Sequence, residues 1–259
     1  MKVSIYSMIN PRMEILHLEE WICHNLNFGF DNIFLYNHGF ICNDDLGSGQ
    51  KIWQKKPYID YADHLSDNDI TEMLNELVSK YSEVTQIDWT PMGGCDRERT
   101  WQCQHRGYIN CVKNNKSDWW TCIDPDEYFY SDTHTDIKDF LRQKKGAIGI
   151  SQVLFEYRKP NKRVVDLVLS KGELNVLTKV PKQGLTKTLI QSHSIKEFHN
   201  HRPISDISND FVLDKNELCY FHYKTNVSED CGQTNYNVNT KMKAFSRKIK
   251  NKKGNEQYK

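Results

Sequence analysis

Trp119-Trp120-Thr121-Cys122-Ile123-Asp124-Pro125-Asp126-Glu127-Tyr128-Phe129 is the stretch on which the reading of this chain turns. Its first five residues are aromatic, β-branched or apolar, and so short a run reads as a buried strand. Pro125 has no N–H to give to a ladder, so the strand stops before it and the chain turns. Asp124, Asp126 and Glu127 therefore gather at the carboxyl end of a buried strand, where open α/β sheets hold their ligands. Like charges that close resist joint ionisation unless a cation or hydrogen-bond donors neutralise them. Hard divalent ions such as Mg²⁺, and Mn²⁺ with them, take oxygen ligands and bridge carboxylates to substrate phosphates. A solvated acidic turn is the plain alternative. The buried lead-in and the proline stop favour a metal–phosphate site.

Outward from this stretch the pattern is β–α–β. Val3 to Ile9 reads as a first strand, followed by a turn at Asn10-Pro11. Residues 12–28 place Ile15, Leu18, Trp21, Ile22 and Leu26 at helical spacing, and Gly29 caps that helix. Ile33 to Tyr36 is a second short strand, and the Asn-, Asp-, Gly- and Ser-rich residues 37–49 form a loop. The crossover favours a parallel sheet. Residues 67–81 read as a second helix with Asp67 or Asp69 as N-cap, and Val84 to Trp89 as a third strand. Arg97 to Asn114 is a long helix leading into the acidic stretch. Asp136 to Lys145 is a short helix capped by Gly146. Beyond it Ala147–Arg158 and Arg163–Leu169 read as a strand pair, with β-rich segments to about Tyr223. The front half is α/β and the back half α+β, with the carboxylates at the junction.

The 259 residues suffice for one large domain with a substantial core. Formal net charge is +1, which argues against nucleic acid as a partner, although the end of the chain is basic. From Thr240 onward it carries Lys241, Lys243, Arg247, Lys248, Lys250, Lys252 and Lys253 against Glu256. This tail reads first as a solvated charged helix, with weak contact to anionic lipid as a second possibility. MKVSIYSMINP enters a strand-like pattern without the apolar core of a signal peptide. No stretch approaches the roughly eighteen apolar residues that cross a bilayer. The expectation is a cytoplasmic protein, its eight cysteines mostly reduced.

The order of these elements resembles a nucleotide-sugar-dependent glycosyltransferase of the GT-A type. More narrowly it is similar to the family 2-like and family 92 group, once described as a domain of unknown function. Four stretches, covering residues 1 to about 231, carry the likeness. The first comprises Glu14, Glu20-Trp21, Gly29-Phe30-Asp31 and Phe34-Leu35-Tyr36, with Met13 where the family usually has Asn. The second is the polar loop Asn37 to Asp45. The third is Gln102 (or Gln104), Asn110-Cys111, Trp119 or Trp120, and Asp124-Pro125-Asp126-Glu127-Tyr128. The fourth is Lys187, His201-Arg202-Pro203 and His222-Tyr223, followed by Lys224, Ser228, Glu229 and Asp230.

The resemblance implies an α/β fold of the GT-A type. A Rossmann-like nucleotide-binding half with a mixed central sheet (1–130) would precede an α+β acceptor half (131–231), with a basic tail at 232–259. It implies metal-dependent and inverting transfer of a sugar from a UDP- or GDP-sugar donor to a hydroxyl of a glycan or other acceptor. Within that expectation Asp126 is the first choice as ligand of Mn²⁺ or Mg²⁺. Asp124 reaches the ribose or the metal shell, and His222 completes that shell; a buried His bonded to backbone is the alternative for His222. Glu127 orders the nearby backbone, faces the sugar or is a structural acceptor. Lys187 and Lys224 would meet the diphosphate, or be ordinary surface lysines. Ile9, Asn10, Glu14, Asn37, Asp45, Gln102 and Arg106 are candidate nucleotide-sugar contacts. Inversion needs a general base, for which Glu156 is the choice and Asp206 and Asp210 are rivals.

Other classes fit less well. A zinc site from Cys95, Cys103, His105 and Cys111 lacks a Cys-x-x-Cys pair. A metal-dependent phosphoester hydrolase would use clustered acids, but near-neutral charge offers little surface for a nucleic-acid backbone. A glycoside hydrolase needs two separated carboxylates. A degenerate GT-A fold that binds carbohydrate or a partner without catalysis is the remaining alternative, and intact Asp124, Asp126 and His222 weigh against it.

Overall fold

The computed structural model describes residues 1–39, 62, 64–89, 97–156, 176–177, 186–195, 209–212 and 217–224. In chain order the elements are β1 (Val3–Ile9), α1 (Pro11–Asn27), β2 (Asn32–Asn37), α2 (Asp67–Ser79), β3 (Val84–Asp88), α3 (Arg97–Asn114), β4 (Trp119–Cys122) and β5 (Glu127–Tyr130). They continue with α4 (Ile137–Leu141), β6 (Ala147–Glu156), β7 (Val176–Leu177), β8 (Thr186–Gln191), β9 (Asn209–Val212) and β10 (Cys219–Lys224). The strands form one sheet in the order β3-β2-β1-β4-β8-β6-β10-β5, with β7 and β9 attached to β6. β3, β2, β1 and β4 run parallel, whereas β8 and β5 are antiparallel to their neighbours. This is the parallel opening and mixed continuation that the sequence predicts.

β1 is buried along its whole length, as expected of a central strand with helices on both faces. Val3, Ile5 and Ile9 face a core built with Ile15, Leu18, Trp21 and Ile22 of α1 and Ile70, Leu74 and Leu77 of α2. Tyr6 and Met8 face the opposite core with Tyr36, Trp120, Cys122 and Tyr108 and Cys111 of α3. α1 starts on Pro11, whose missing N–H costs nothing in the first turn. It ends at Gly29, φ +98°, a left-handed position that favours glycine.

β5 is a strand whose partner was not foreseen. Between β4 and β5 in the sheet lie β8, β6 and β10, a flat distance of about 19 Å at ~4.8 Å per strand. The link from Cys122 to Glu127 cannot cover this, because Glu127 N–H donates to the Asp124 carbonyl at 3.0 Å and closes a turn with Pro125 at its second position. The sheet must therefore curl until its last strand returns to the end of β4. α1 holds it there. The Trp21 indole donates to the Glu127 carbonyl at 2.7 Å, and His24 Nε2 to the Phe129 carbonyl at 2.7 Å. Positions 21 and 24 share a helix face, as 127 and 129 share a strand edge.

Some expectations are corrected. The N-cap of α2 is Ser66, in a reciprocal capping box with Asp69, rather than Asp67 or Asp69. α4 is shorter than residues 136–145, running from its N-cap Asp136 to Leu141. Among the described residues Cys23, Cys111, Cys122 and Cys219 are free and Cys103 is disulfide-bonded, in keeping with cysteines that are mostly, not wholly, reduced. That bond also removes Cys103 as a thiolate ligand for zinc. Arg163–Leu169 and the tail 232–259 lie outside the described residues. No helix among the described residues is long and apolar enough to cross a membrane.

Candidate active site

The curled sheet brings β5 and β10 together in antiparallel register, and His222 pairs with Glu127. Across the other edge of β10, His222 pairs with Leu154 of β6. His222 Nε2 lies 3.3 Å from Asp126 Oδ2, and its Nδ1 lies 3.5 Å from Glu127 Oε1. One ligand atom from each of Asp126, Glu127 and His222 falls within 4.8 Å of the others. Two carboxylates and an imidazole are a donor set suited to Mn²⁺ or Mg²⁺, with the imidazole favouring Mn²⁺.

Glu127 is 1% exposed and Lys187 0%, and the Lys187 ammonium lies 2.8 Å from Glu127 Oε2 and 2.9 Å from Asp124 Oδ2. Glu127 Oε2 also accepts the Asp124 N–H at 2.9 Å, so its side chain folds back across the turn. The other Asp124 oxygen accepts from the Gln104 amide at 3.3 Å. Burial raises the Glu127 pKa above the usual carboxylate range; Lys187 and His222 oppose this, and Asp124 and Asp126 reinforce it. For Lys187 burial works toward the neutral amine, yet Asp124 and Glu127 outweigh it and hold the ammonium pKa well above its ordinary value. Tyr220 stands nearby, its phenol pushed up by burial and then by Glu127.

α1 presents Glu14, His17, Trp21 and His24 at spacings of three or four residues, one stripe of the helix. Glu14 Oε2 accepts the Asn10 N–H at 2.7 Å. Burial raises the Glu14 carboxyl well above its ordinary value, this N–H opposes the shift, and the charges of Asp126 and Asp124 add to it. Burial pulls His17 down to about 4 against the charge of Asp126.

Asp126 and His222 thus meet as the sequence reading placed them, and Glu127 joins them. Asp124 sits beside the cluster with both oxygens engaged by Gln104 and Lys187. Ile9, Asn10 and Asn37 lie at the carboxyl ends of β1 and β2, Ile9 and Asn10 buried and Asn37 half-buried. Gln102 and Arg106 lie on α3, with Arg106 exposed. Glu156 and Lys224 end β6 and β10 as a register pair. Asp45 and Asp206 lie outside the described residues. Asp210 pairs with Ile148, six residues before Leu154, which puts its backbone about 20 Å along the sheet from the level of His222. Gln104, His17 and Trp21 were not singled out as site residues, although the helical spacing from Glu14 through Trp21 was available as a signal.

A parallel β3-β2-β1-β4 half that ends in an acidic turn, joined to a mixed sheet whose last strand returns a histidine to that turn, is the arrangement that the resemblance to GT-A glycosyltransferases implies. The chain belongs to glycosyltransferase family 92, whose sequence pattern matches residues 61–257. No curated protein matches the sequence. Among solved structures the chain is similar to Staphylococcus aureus TarS 1-349, at 13% identity and TM-score 0.44, with 86% of this chain and 60% of that one covered. A complex of the same fragment with UDP-GlcNAc gives 12% identity and TM-score 0.42, covering 100% and 68%. The mannosyltransferase Ktr4p of Saccharomyces cerevisiae gives 15% and 0.33, covering 61% and 40%. The chain thus spans about three fifths to two thirds of the TarS fragment.

Proposed function

We propose that this chain transfers a sugar from a nucleotide diphosphate sugar, UDP- or GDP-linked, to a hydroxyl of a glycan or other acceptor, with metal dependence and inversion. The observation that carries this reading is the convergence of Asp126, Glu127 and His222 at the carboxyl edge of the sheet in a family 92 chain. In it Asp126, Glu127 and His222 hold Mn²⁺ or Mg²⁺, which when bound supplies charge neutralisation for the leaving diphosphate. Asp124, oriented by Gln104, faces the nucleotide. Ile9, Asn10, Glu14 and Asn37 line the same edge, and Arg106, Gln102, Asp45 and Lys224 supply further donor contacts. Glu156 accepts the proton of the acceptor hydroxyl. Its backbone ends β6 two residues, about 7 Å, past Leu154, the register partner of His222. The basic tail makes at most a weak surface contact with anionic membrane.

Calorimetric titration of UDP and GDP, with and without Mn²⁺, tests the reading. Metal-dependent nucleotide binding that Asp126→Ala abolishes is expected. Binding that is indifferent to the metal and to that substitution would instead support a non-catalytic protein on this fold.

A further inference from the structure

Resting on that reading, we infer that Lys187 is a positioning residue that divides the acidic turn. It draws one oxygen from each of Asp124 and Glu127, so that Glu127 rather than Asp124 stands with Asp126 and His222.

A fully enclosed ammonium is costly to bury and persists only where carboxylates meet it. Lys187 is 0% exposed and lies between two of them. It lies on β8, between β4 and β6, two residues before Leu189, which pairs with Thr121 of β4. The ammonium, carried by an internal strand of the sheet, is therefore fully enclosed where it meets the turn. That placement suits an internal counter-ion and not the diphosphate contact expected from sequence.

The division follows oxygen by oxygen. Asp124 Oδ2 takes Lys187 at 2.9 Å and Oδ1 takes Gln104 at 3.3 Å, so donors on β8 and α3 turn this carboxylate aside. Glu127 Oε2 takes Lys187 at 2.8 Å and the Asp124 N–H at 2.9 Å. With Oε2 pinned twice, Oε1 is left aimed at His222 Nδ1, 3.5 Å away. One lysine thus gives two acids three residues apart different roles.

The test is the Mn²⁺ affinity of the nucleotide-free full chain, measured by calorimetry. Lys187→Met should weaken it about 10- to 100-fold, the usual cost of losing a ligand's supporting partner, and Glu127→Gln, which removes a carboxylate ligand, at least as much. Lys187→Arg, which keeps the charge, should recover most of that loss. Asp124→Asn should change it by less than about threefold, under 1 kcal/mol. Lys187→Met with unchanged Mn²⁺ affinity but weakened UDP binding would make Lys187 a diphosphate contact and overturn the inference. Equal losses in Asp124→Asn and Glu127→Gln would overturn it as well, and that comparison decides alone if Lys187→Met does not fold. Asp126→Ala serves as the separate control: wild-type Mn²⁺ affinity in that variant sinks the metal reading itself.

Discussion

Lowering the pH from 7 to 5 is expected to cost this protein about 2 kcal/mol of stability through His24 alone. His24 is 2% exposed, and its Nε2 donates to the Phe129 carbonyl at 2.7 Å. Burial pulls its pKa to about 4, with the bond to Phe129 pushing in the opposite direction. In the unfolded chain an imidazole titrates near 6.5, about 2.5 units higher. Between the two values the unfolded chain binds a proton that the folded one refuses. Stability is therefore complete above about 6.5, falls as the pH drops through the window, and levels off below about 4. At 1.36 kcal/mol per unit the full loss is about 3 kcal/mol, of which about 2 appears between pH 7 and 5. Urea unfolding of wild type and His24→Gln at the two pH values isolates it, because glutamine keeps an N–H donor and does not titrate. The wild-type midpoint should fall further than the variant's by about 1 M, for a slope near 2 kcal/mol/M. Equal falls would refute the reasoning, since His24 would then be titrating in the folded state much as it does in the unfolded one.

Three further substitutions probe how the site is carried. Trp21→Phe removes the donor to the buried Glu127 carbonyl, and urea unfolding should show a loss of about 2–4 kcal/mol from the orphaned acceptor and the smaller ring. Gly29→Ala forces a side chain onto φ +98° with its Cβ 2.5 Å from the Asp136 carboxylate, the cap of α4; a loss of about 1–3 kcal/mol or more is expected in the same assay. Ser66→Ala opens the capping box that Ser66 forms with Asp69 at the start of α2 and should cost about 1 kcal/mol in the same assay while leaving Mn²⁺ affinity unchanged.

What was legible in the sequence is local. Val3–Ile9 reads as a buried central strand because nearly every residue is apolar or small, and Trp119–Ile123 likewise, with Pro125 marking its end. The bounds of α3 match the expected Arg97 and Asn114. What was not legible depends on pairing over long distances. Glu127-Tyr128-Phe129-Tyr130 has strand composition, but composition does not choose a partner, and β5 pairs with β10 about ninety residues later only because the sheet curls. The role of Glu127 beside His222 follows from that pairing alone. Lys187, between two threonines, looks like any surface lysine until β8 is inserted between β4 and β6 and encloses it. Ser66 was hidden for a smaller reason: Ser66, Asp67 and Asp69 all suit an N-cap, and only side-chain geometry shows that Asp69 answers Ser66 from N3.

The central claim is that Asp126, Glu127 and His222 act as one metal-dependent transfer site. Hydrolysis of a panel of UDP- and GDP-sugars, followed by mass spectrometry with Mn²⁺ and then with excess chelator, tests it most directly. The account predicts release of UDP or GDP from at least one donor by the wild type, lost on chelation and in Asp126→Ala while that variant keeps its fold. Release that persists undiminished in chelator or in Asp126→Ala would contradict it.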